Sequence, residues 1–138
     1  MDTKPFVVID TNVFISMLLG SSSCAKVRDL FLDGLFSLAL SEDMLRELTS
    51  TMSSPRFSRL IHPTDIAELL ELLNTDASLF NITHHYNICR DPKDNMLLEC
   101  ATTAHARYII TGDKDLLVLK HFHSIAIVTP AQFTTLFK

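Results

Sequence analysis

The sequence predicts an α/β protein, a three-layer α/β/α sandwich around a central, mostly parallel five-stranded sheet. Short runs of β-branched and aromatic residues alternate with longer segments of helical periodicity along the chain. Strands that alternate with helices are typical of parallel sheets, which helices cover on both faces. There is no repeat, low-complexity tract or Gly/Ser linker. We therefore expect a single domain over residues 1–138.

The chain begins with a predicted strand, a turn and two helices. Residues 6–9 are β-branched and aromatic, and the polar turn Asp10-Thr11-Asn12 follows them. Residues 13–19 are apolar over the length of a buried helix. Residues 22–32 have the periodicity of a second helix, and Gly34 is placed to end it.

The middle of the chain repeats the pattern of strand and helix. Residues 36–40 predict a second strand, and Ser41 is a suitable cap for a third helix. Residues 63–73 form another helical pattern that begins with a proline, as many helices do. Residues 79–83 predict the third strand.

The C-terminal part contains the last two predicted strands, residues 108–111 and 125–128. Helices are expected over residues 94–107 and 113–119, and Pro130 opens a final one. In open parallel sheets, ligands bind outside the carboxyl ends of the strands, where the strand order reverses. Polar residues that directly follow a strand are therefore candidates for a functional site.

Composition and charge limit the classes of function. The chain has 138 residues, 47% of them hydrophobic, and a net charge of -4. We find no apolar run of the roughly 20 residues that span a bilayer, and Met1 to Pro5 lacks the pattern of a signal peptide, so we expect a cytoplasmic protein without a membrane segment. The negative charge argues against a broad basic surface for nucleic acid. It does not argue against a metal-dependent nuclease, whose cation supplies the positive charge.

Five carboxylates stand at positions that the fold can bring together. Asp10 ends the first predicted strand, and Asp113 and Asp115 come just after the strand over 108–111. Asp94 lies in the first turn of the preceding helix, on the same face as buried apolar residues, and Glu47 lies within the third helix. Taken alone, each of the four aspartates is explained as well by helix capping or by the helix dipole.

Taken together, the acids suggest a metal site. Several carboxylates in one partly desolvated crevice repel each other, and some must then take up protons unless a cation binds. The three cysteines are far apart and the six histidines lack the HxxxH spacing of paired ligands. Oxygen ligands without sulfur or paired imidazole suit Mg²⁺ or Mn²⁺ better than zinc.

Four motifs, in order, resemble those of PIN-domain proteins, over nearly the whole chain. They are Asp10-Thr11-Asn12-Val13-Phe14-Ile15-Ser16, Ser41-Glu42-Asp43-Met44-Leu45-Arg46-Glu47-Leu48 followed by Ser54-Pro55-Arg56-Phe57, Arg90-Asp91-Pro92-Lys93-Asp94-Asn95, and Thr111-Gly112-Asp113-Lys114-Asp115-Leu116-Leu117. The resemblance is greatest to the branch described as toxin components of toxin–antitoxin pairs.

The resemblance implies an endoribonuclease that hydrolyses RNA phosphodiester bonds with Mg²⁺ or Mn²⁺, an antitoxin partner and a dimer. By the same resemblance, Asp10, Glu47, Asp94 and Asp113 match the acidic quartet of the family and Asp115 matches an additional acid. Polar residues that support the site in the family are matched by Asn12 and Thr111. Five basic residues that flank the motifs are candidates for RNA binding: Arg46, Arg56, Arg90, Lys93 and Lys114.

Two other functions remain open from the sequence. A catalytically silent PIN scaffold could bind RNA or a protein partner, although the complete quartet argues against it. A phosphohydrolase of the haloacid dehalogenase type also has an aspartate after its first strand, but it needs a second one two residues later, where this chain has Asn12. The ribonuclease is therefore the leading prediction.

Overall fold

The computed structural model describes residues 4–137, which form strands and helices in the alternating order that the sequence predicts. Within these residues, no helix has the length and hydropathy that crossing a membrane requires. The elements are β1 (Phe6–Ile9), α1 (Thr11–Leu18), α2 (Ser22–Leu32), β2 (Ser37–Leu40), α3 (Glu42–Ser53), α4 (Pro55–Ser58), α5 (Pro63–Asp76), β3 (Ser78–Leu79), α6 (Pro92–Ala104), β4 (Tyr108–Ile110), α7 (Lys114–Leu117), β5 (His121–Phe122), β6 (Ile125–Val128) and α8 (Pro130–Thr135).

The sheet has six strands in the order β3-β2-β1-β4-β6-β5, and all neighbours are parallel except β5 and β6. The prediction of a mostly parallel sheet is confirmed, but the predicted number of five strands was wrong. The additional strand, His121–Phe122, has only two residues and pairs with β6 in a hairpin. A run of two residues carries no periodicity that a sequence could reveal.

The third strand is shorter than the predicted strand over 79–83, because it contains only Ser78–Leu79. The amide of Phe80 still donates to the Leu40 carbonyl at 2.8 Å, and the chain then leaves the sheet. From there the amide of Tyr86 donates to the Glu99 carboxylate on α6 at 2.9 Å. The segment over 81–91 is thus held by helix α6 rather than by strand β2.

The core shows why the sheet has helices on both faces. The consecutive residues Val7, Val8 and Ile9 of β1 are all buried, as are Ile109 and Ile110 of β4. Since successive side chains of a strand point to opposite faces, both faces must be covered. Helix α6 packs against β1, β2 and β4, and α2 packs against α8. These contacts establish the predicted three-layer α/β/α arrangement.

Candidate metal centre

The candidate site lies where the order of the strands reverses. Strand β2 pairs with one edge of β1, and strand β4, which comes later in the chain, pairs with the other edge. Because β1 and β4 are parallel and Ile9 pairs with Ile110, the residues that follow them are neighbours. Thr111 Oγ1 donates to Asp10 Oδ2 at 2.7 Å, although these residues are 101 positions apart in the chain. This position is where ligands bind in open α/β sheets.

Asp10 serves as a helix cap and as a residue of the site. Its Oδ1 accepts a hydrogen bond from the amide of Asn12 at 3.3 Å at the start of α1, and its Oδ2 accepts the bond from Thr111. The residue is only 8% exposed, and this burial raises the pKa of its carboxyl group, while the two hydrogen bonds lower it. A buried acid with a raised pKa favours binding a proton or a cation.

Asp94 is the most unusual carboxylate of the centre. It lies in the first turn of α6 and is 5% exposed. Among residues 4–137, its Oδ2 is the one buried side-chain oxygen or nitrogen without a hydrogen-bond partner. Burial, followed by the close approach and negative charge of Asp113, raises the pKa of Asp94 to about 7. An unpaired buried oxygen is costly, so this atom is suited to bind a cation.

Asp113 caps α7 and Asp115 lies in the first turn of that helix, and both approach Asp94. Thr111 Oγ1 accepts the amide of Asp113 at 3.0 Å, and Asp113 Oδ1 accepts the amide of Asp115 at 2.9 Å. One carboxylate oxygen each from Asp94, Asp113 and Asp115 lie within 4.8 Å of one another. Two of these acids come from the end of the sheet, and the third comes from the helix that packs on it.

A small cleft joins the acids that the sequence singled out. Its volume is about 60 Å³, and Asp10, Glu47, Asp94 and Asp113 all line it. Each water in the liquid takes up about 30 Å³, so the cleft offers room for an ion with few waters. Burial raises the pKa of Glu47, whereas the charge of Lys93 lowers it. The structure thus brings the four predicted acids to one cleft.

The residues present fit a hard divalent cation. The centre offers carboxylate oxygens, and no cysteine or histidine lines the cleft within the described part of the chain. The unpartnered Oδ2 of Asp94 supplies a buried oxygen that a cation would satisfy. Oxygen donors of this kind bind Mg²⁺ or Mn²⁺ in preference to softer metals.

Three of the five predicted RNA-binding residues, Arg46, Arg56 and Lys114, are exposed beside the motifs and do not line the cleft. Arg46 pairs with Asp43 at 2.8 Å, and the guanidinium of Arg56 lies 5.3 Å from the centre of the Phe57 ring. Lys114 is an exposed residue at the start of α7. The structure therefore gives these three no particular relation to the acids.

The other two predicted basic residues contact acids of the centre. Arg90 pairs with Asp115 at 2.8 Å, and Lys93 Nζ lies 3.7 Å from Glu47 Oε1. Asp115 itself does not line the cleft and stands at its margin. The sequence placed these residues near the motifs but did not indicate the pairings.

Sequence reasoning missed the part played by Asn95. This residue is 6% exposed, and its Oδ1 accepts hydrogen bonds from the amides of Ile88 and Cys89 at 3.1 and 2.9 Å. These hydrogen bonds fix the segment that leads to Arg90. Asn95 itself lies next to Asp94 in the helix. Its signal in the sequence was a polar side chain next to Asp94 and just before the apolar residues Leu97 and Leu98 of α6.

We expect Asn95→Ala to lower the free energy of unfolding by about 1–3 kcal/mol, because two amides lose their acceptor. Urea denaturation measures the change. Asn87→Ala is the matched control, since Asn87 is exposed in the same segment, and its effect should stay within about 0.5 kcal/mol. Equal effects of the two substitutions would contradict the proposed anchoring.

Fold and cleft together define a small α/β protein with a carboxylate centre at the reversal point of a parallel sheet. A profile of the PIN domain matches residues 6–115. The chain belongs to the PIN domain family, as its motifs predicted.

Two known proteins illustrate this relationship. The chain is 34% identical over 116 residues to the uncharacterized protein MJ1680 of Methanocaldococcus jannaschii, a match that covers 83% of this chain and 74% of that protein. The solved PIN domain of human SMG5 is similar in fold, with a TM-score of 0.56 at 16% identity, over 97% of this chain and 100% of that one. At this identity, the second likeness concerns the fold alone.

Proposed function

We propose that the protein is a ribonuclease that depends on Mg²⁺ or Mn²⁺ and hydrolyses phosphodiester bonds within RNA. Membership of the PIN domain family supports a nuclease-type fold. Two observations on Asp94 carry the proposal: its buried Oδ2 has no hydrogen-bond partner, and one of its carboxylate oxygens lies within 4.8 Å of carboxylate oxygens of Asp113 and Asp115. The cap of α6 is Asp91, whose side chain accepts the amide of Lys93 at 3.0 Å, so Asp94 is not the capping residue.

The proposed ligands of the cation are the acidic quartet Asp10, Glu47, Asp94 and Asp113, with Asp115 as a further acid. When bound, a divalent cation would lower the pKa of a water and neutralise charge on the phosphate. Thr111 holds Asp10 by its 2.7 Å hydrogen bond and thus keeps one carboxylate oriented. The product ends expected from such hydrolysis are a 5′-phosphate and a 3′-hydroxyl.

For the biological setting we propose the toxin of a toxin–antitoxin pair that acts in the cytoplasm, with dimers as the assembly. The motifs that resemble this branch of the family support the proposal. The cleft is lined by several acids and has a volume of about 60 Å³. An antitoxin could block it with a basic side chain, because opposite charges attract strongly in a partly desolvated site.

A second candidate is a catalytically silent scaffold that binds RNA or a protein. The pairing of Arg90 with Asp115 and of Lys93 with Glu47 favours it to some extent, because basic side chains already neutralise two of the acids. A haloacid dehalogenase type of phosphohydrolase has less support, since Asn12 occupies the position of its second aspartate.

One assay separates these functions. Labelled RNA and a small phosphate ester are incubated with Mg²⁺, Mn²⁺ or EDTA, using the wild type, Asp10→Asn and the control Asp33→Asn, whose aspartate is exposed at the end of α2. We expect RNA cleavage that requires metal, is lost in Asp10→Asn and persists in Asp33→Asn. Binding of RNA without cleavage would favour the scaffold, and turnover of the ester alone would favour the phosphohydrolase.

A further inference from the structure

Two basic side chains from one short segment reach the acid centre. Arg90 Nη2 lies 2.8 and 2.9 Å from the two carboxylate oxygens of Asp115. Three residues later, Lys93 Nζ lies 3.7 Å from Glu47 Oε1. The segment therefore places one basic side chain against an acid at the margin of the cleft and another against an acid in its lining.

Both ion pairs stand at the open mouth of the centre. The side chains of Arg90 and Lys93 are 83% and 64% exposed, and those of Asp115 and Glu47 are 44% and 23% exposed. Ion pairs with such exposure contribute little to stability, because water screens the charges. The pairs are consequently easy to break and can exchange with another cation.

The same carboxylates serve the basic side chains and the candidate metal centre. Asp115 is the partner of Arg90 and is also one of the three acids whose oxygens lie within 4.8 Å of one another. Glu47 is the partner of Lys93 and lines the cleft. A divalent cation competes with a singly charged group for a shared carboxylate, so the two kinds of contact weaken each other.

We propose that Arg90 and Lys93 bind the RNA phosphates next to the metal centre, and that the acids of the centre retain these two side chains until a divalent cation releases them. The inference rests on the proposed ribonuclease function. It also agrees with the net charge of -4, which argues against a broad basic surface for nucleic acid. Arginine can contact a phosphate with two donors, and lysine adds a compact charge on a flexible stem.

Metal affinity in the absence of RNA tests the competition. Titration calorimetry with MnCl₂ is carried out on the wild type, Arg90→Gln, Lys93→Gln and the control Arg28→Gln, whose arginine is exposed and pairs with Asp29 at 3.5 Å on α2. We expect Arg90→Gln and Lys93→Gln to bind Mn²⁺ about twofold to fivefold more tightly. Affinities that equal that of the control, which removes the same charge elsewhere, would overturn the competition.

Binding of RNA in EDTA tests the phosphate contact independently of any metal. Asp115→Asn frees Arg90, so a labelled single-stranded RNA should bind several times more tightly to this variant, as measured by fluorescence anisotropy. The gain should disappear in the double variant Arg90→Gln/Asp115→Asn. A gain that persists in the double variant, whose net charge equals that of the wild type, would not depend on Arg90 and would overturn its role.

The two experiments distinguish failure of this inference from failure of the ribonuclease proposal. If neither the wild type nor any variant binds Mn²⁺, the metal-dependent ribonuclease is contradicted and so is the release by a cation. If the wild type binds Mn²⁺ and cleaves RNA, but Arg90→Gln and Lys93→Gln match Arg28→Gln in Mn²⁺ affinity and the double variant keeps the gain in RNA affinity, only the inference fails. If Lys93→Gln binds Mn²⁺ more tightly than the wild type does and binds the labelled RNA less tightly, the inference is supported.

Discussion

Asp94→Asn is expected to abolish RNA cleavage and, in the absence of metal, to make the protein more stable at pH 8. The substitution removes a proposed ligand of the cation, for which we expect a loss of activity of at least about 100-fold. It also removes a buried charge whose Oδ2 has no partner. Asparagine is polar but uncharged, so the cost of burying a charge beside Asp113 is removed, and we expect the free energy of unfolding to rise by about 1–2 kcal/mol.

The gain in stability should depend on pH in a defined direction. The pKa of Asp94 is about 7 in the folded protein, above its ordinary value of 3.8. The folded state therefore binds the proton more tightly than the unfolded state, and the contribution of this group to stability falls as pH rises between those two values. The advantage of Asp94→Asn should consequently be small at pH 5 and reach its maximum above pH 7.

Urea denaturation in EDTA at pH 5 and pH 8 measures this difference, and Asp33→Asn serves as the control for loss of an exposed carboxylate. A combination of lost activity and gained stability is typical of a residue that is retained for function rather than for folding. If Asp94→Asn instead destabilises the protein equally at both pH values, Asp94 acts as a structural residue of the first turn of α6.

Divalent cations are expected to raise the melting temperature strongly. Metal that binds only the folded state at 100 times its dissociation constant adds about 2.7 kcal/mol of stability, which corresponds to a rise of about 9 °C for a chain of this size. The cause lies in the cleft, where Asp10, Glu47, Asp94 and Asp113 are held close together. Their mutual repulsion disfavours the metal-free state, and a cation removes it.

Differential scanning calorimetry with and without MnCl₂ measures the shift. We expect the shift to be largely lost in Asp10→Asn, because the variant removes one of the charges that line the cleft, and to be retained in Asp33→Asn. A rise of the same size in both variants would show that Mn²⁺ stabilises the protein from another position.

The sequence was sufficient to predict where the candidate acids lie, because their position follows from the order and direction of the strands. Once strands alternate with helices, parallel pairing brings the residues after β1 and β4 to the same edge, and this is where Asp10 and Thr111 meet. Asp94 could be placed on the packed face of its helix by periodicity, and it is buried. Glu47 was placed within the third helix, and it is partly buried there.

The remaining features depend on contacts between distant parts of the chain. The strand His121–Phe122 exists only because it pairs with β6, and the segment over 81–91 leaves the sheet because Asn95 and Glu99 accept its amides. Arg90 and Asp115 are 25 residues apart, and each has an ordinary place beside a motif. No local pattern encodes such partners, since either side chain would be equally at home in solvent.

A crystal of the protein soaked in MnCl₂ tests the central claim most directly, through the anomalous scattering of manganese. We predict an anomalous peak in the cleft, at bonding distance from carboxylate oxygens of Asp94 and Asp113. A map with no peak in this cleft at a saturating concentration of Mn²⁺, or with peaks confined to other parts of the surface, would contradict the assignment of these acids to a metal centre.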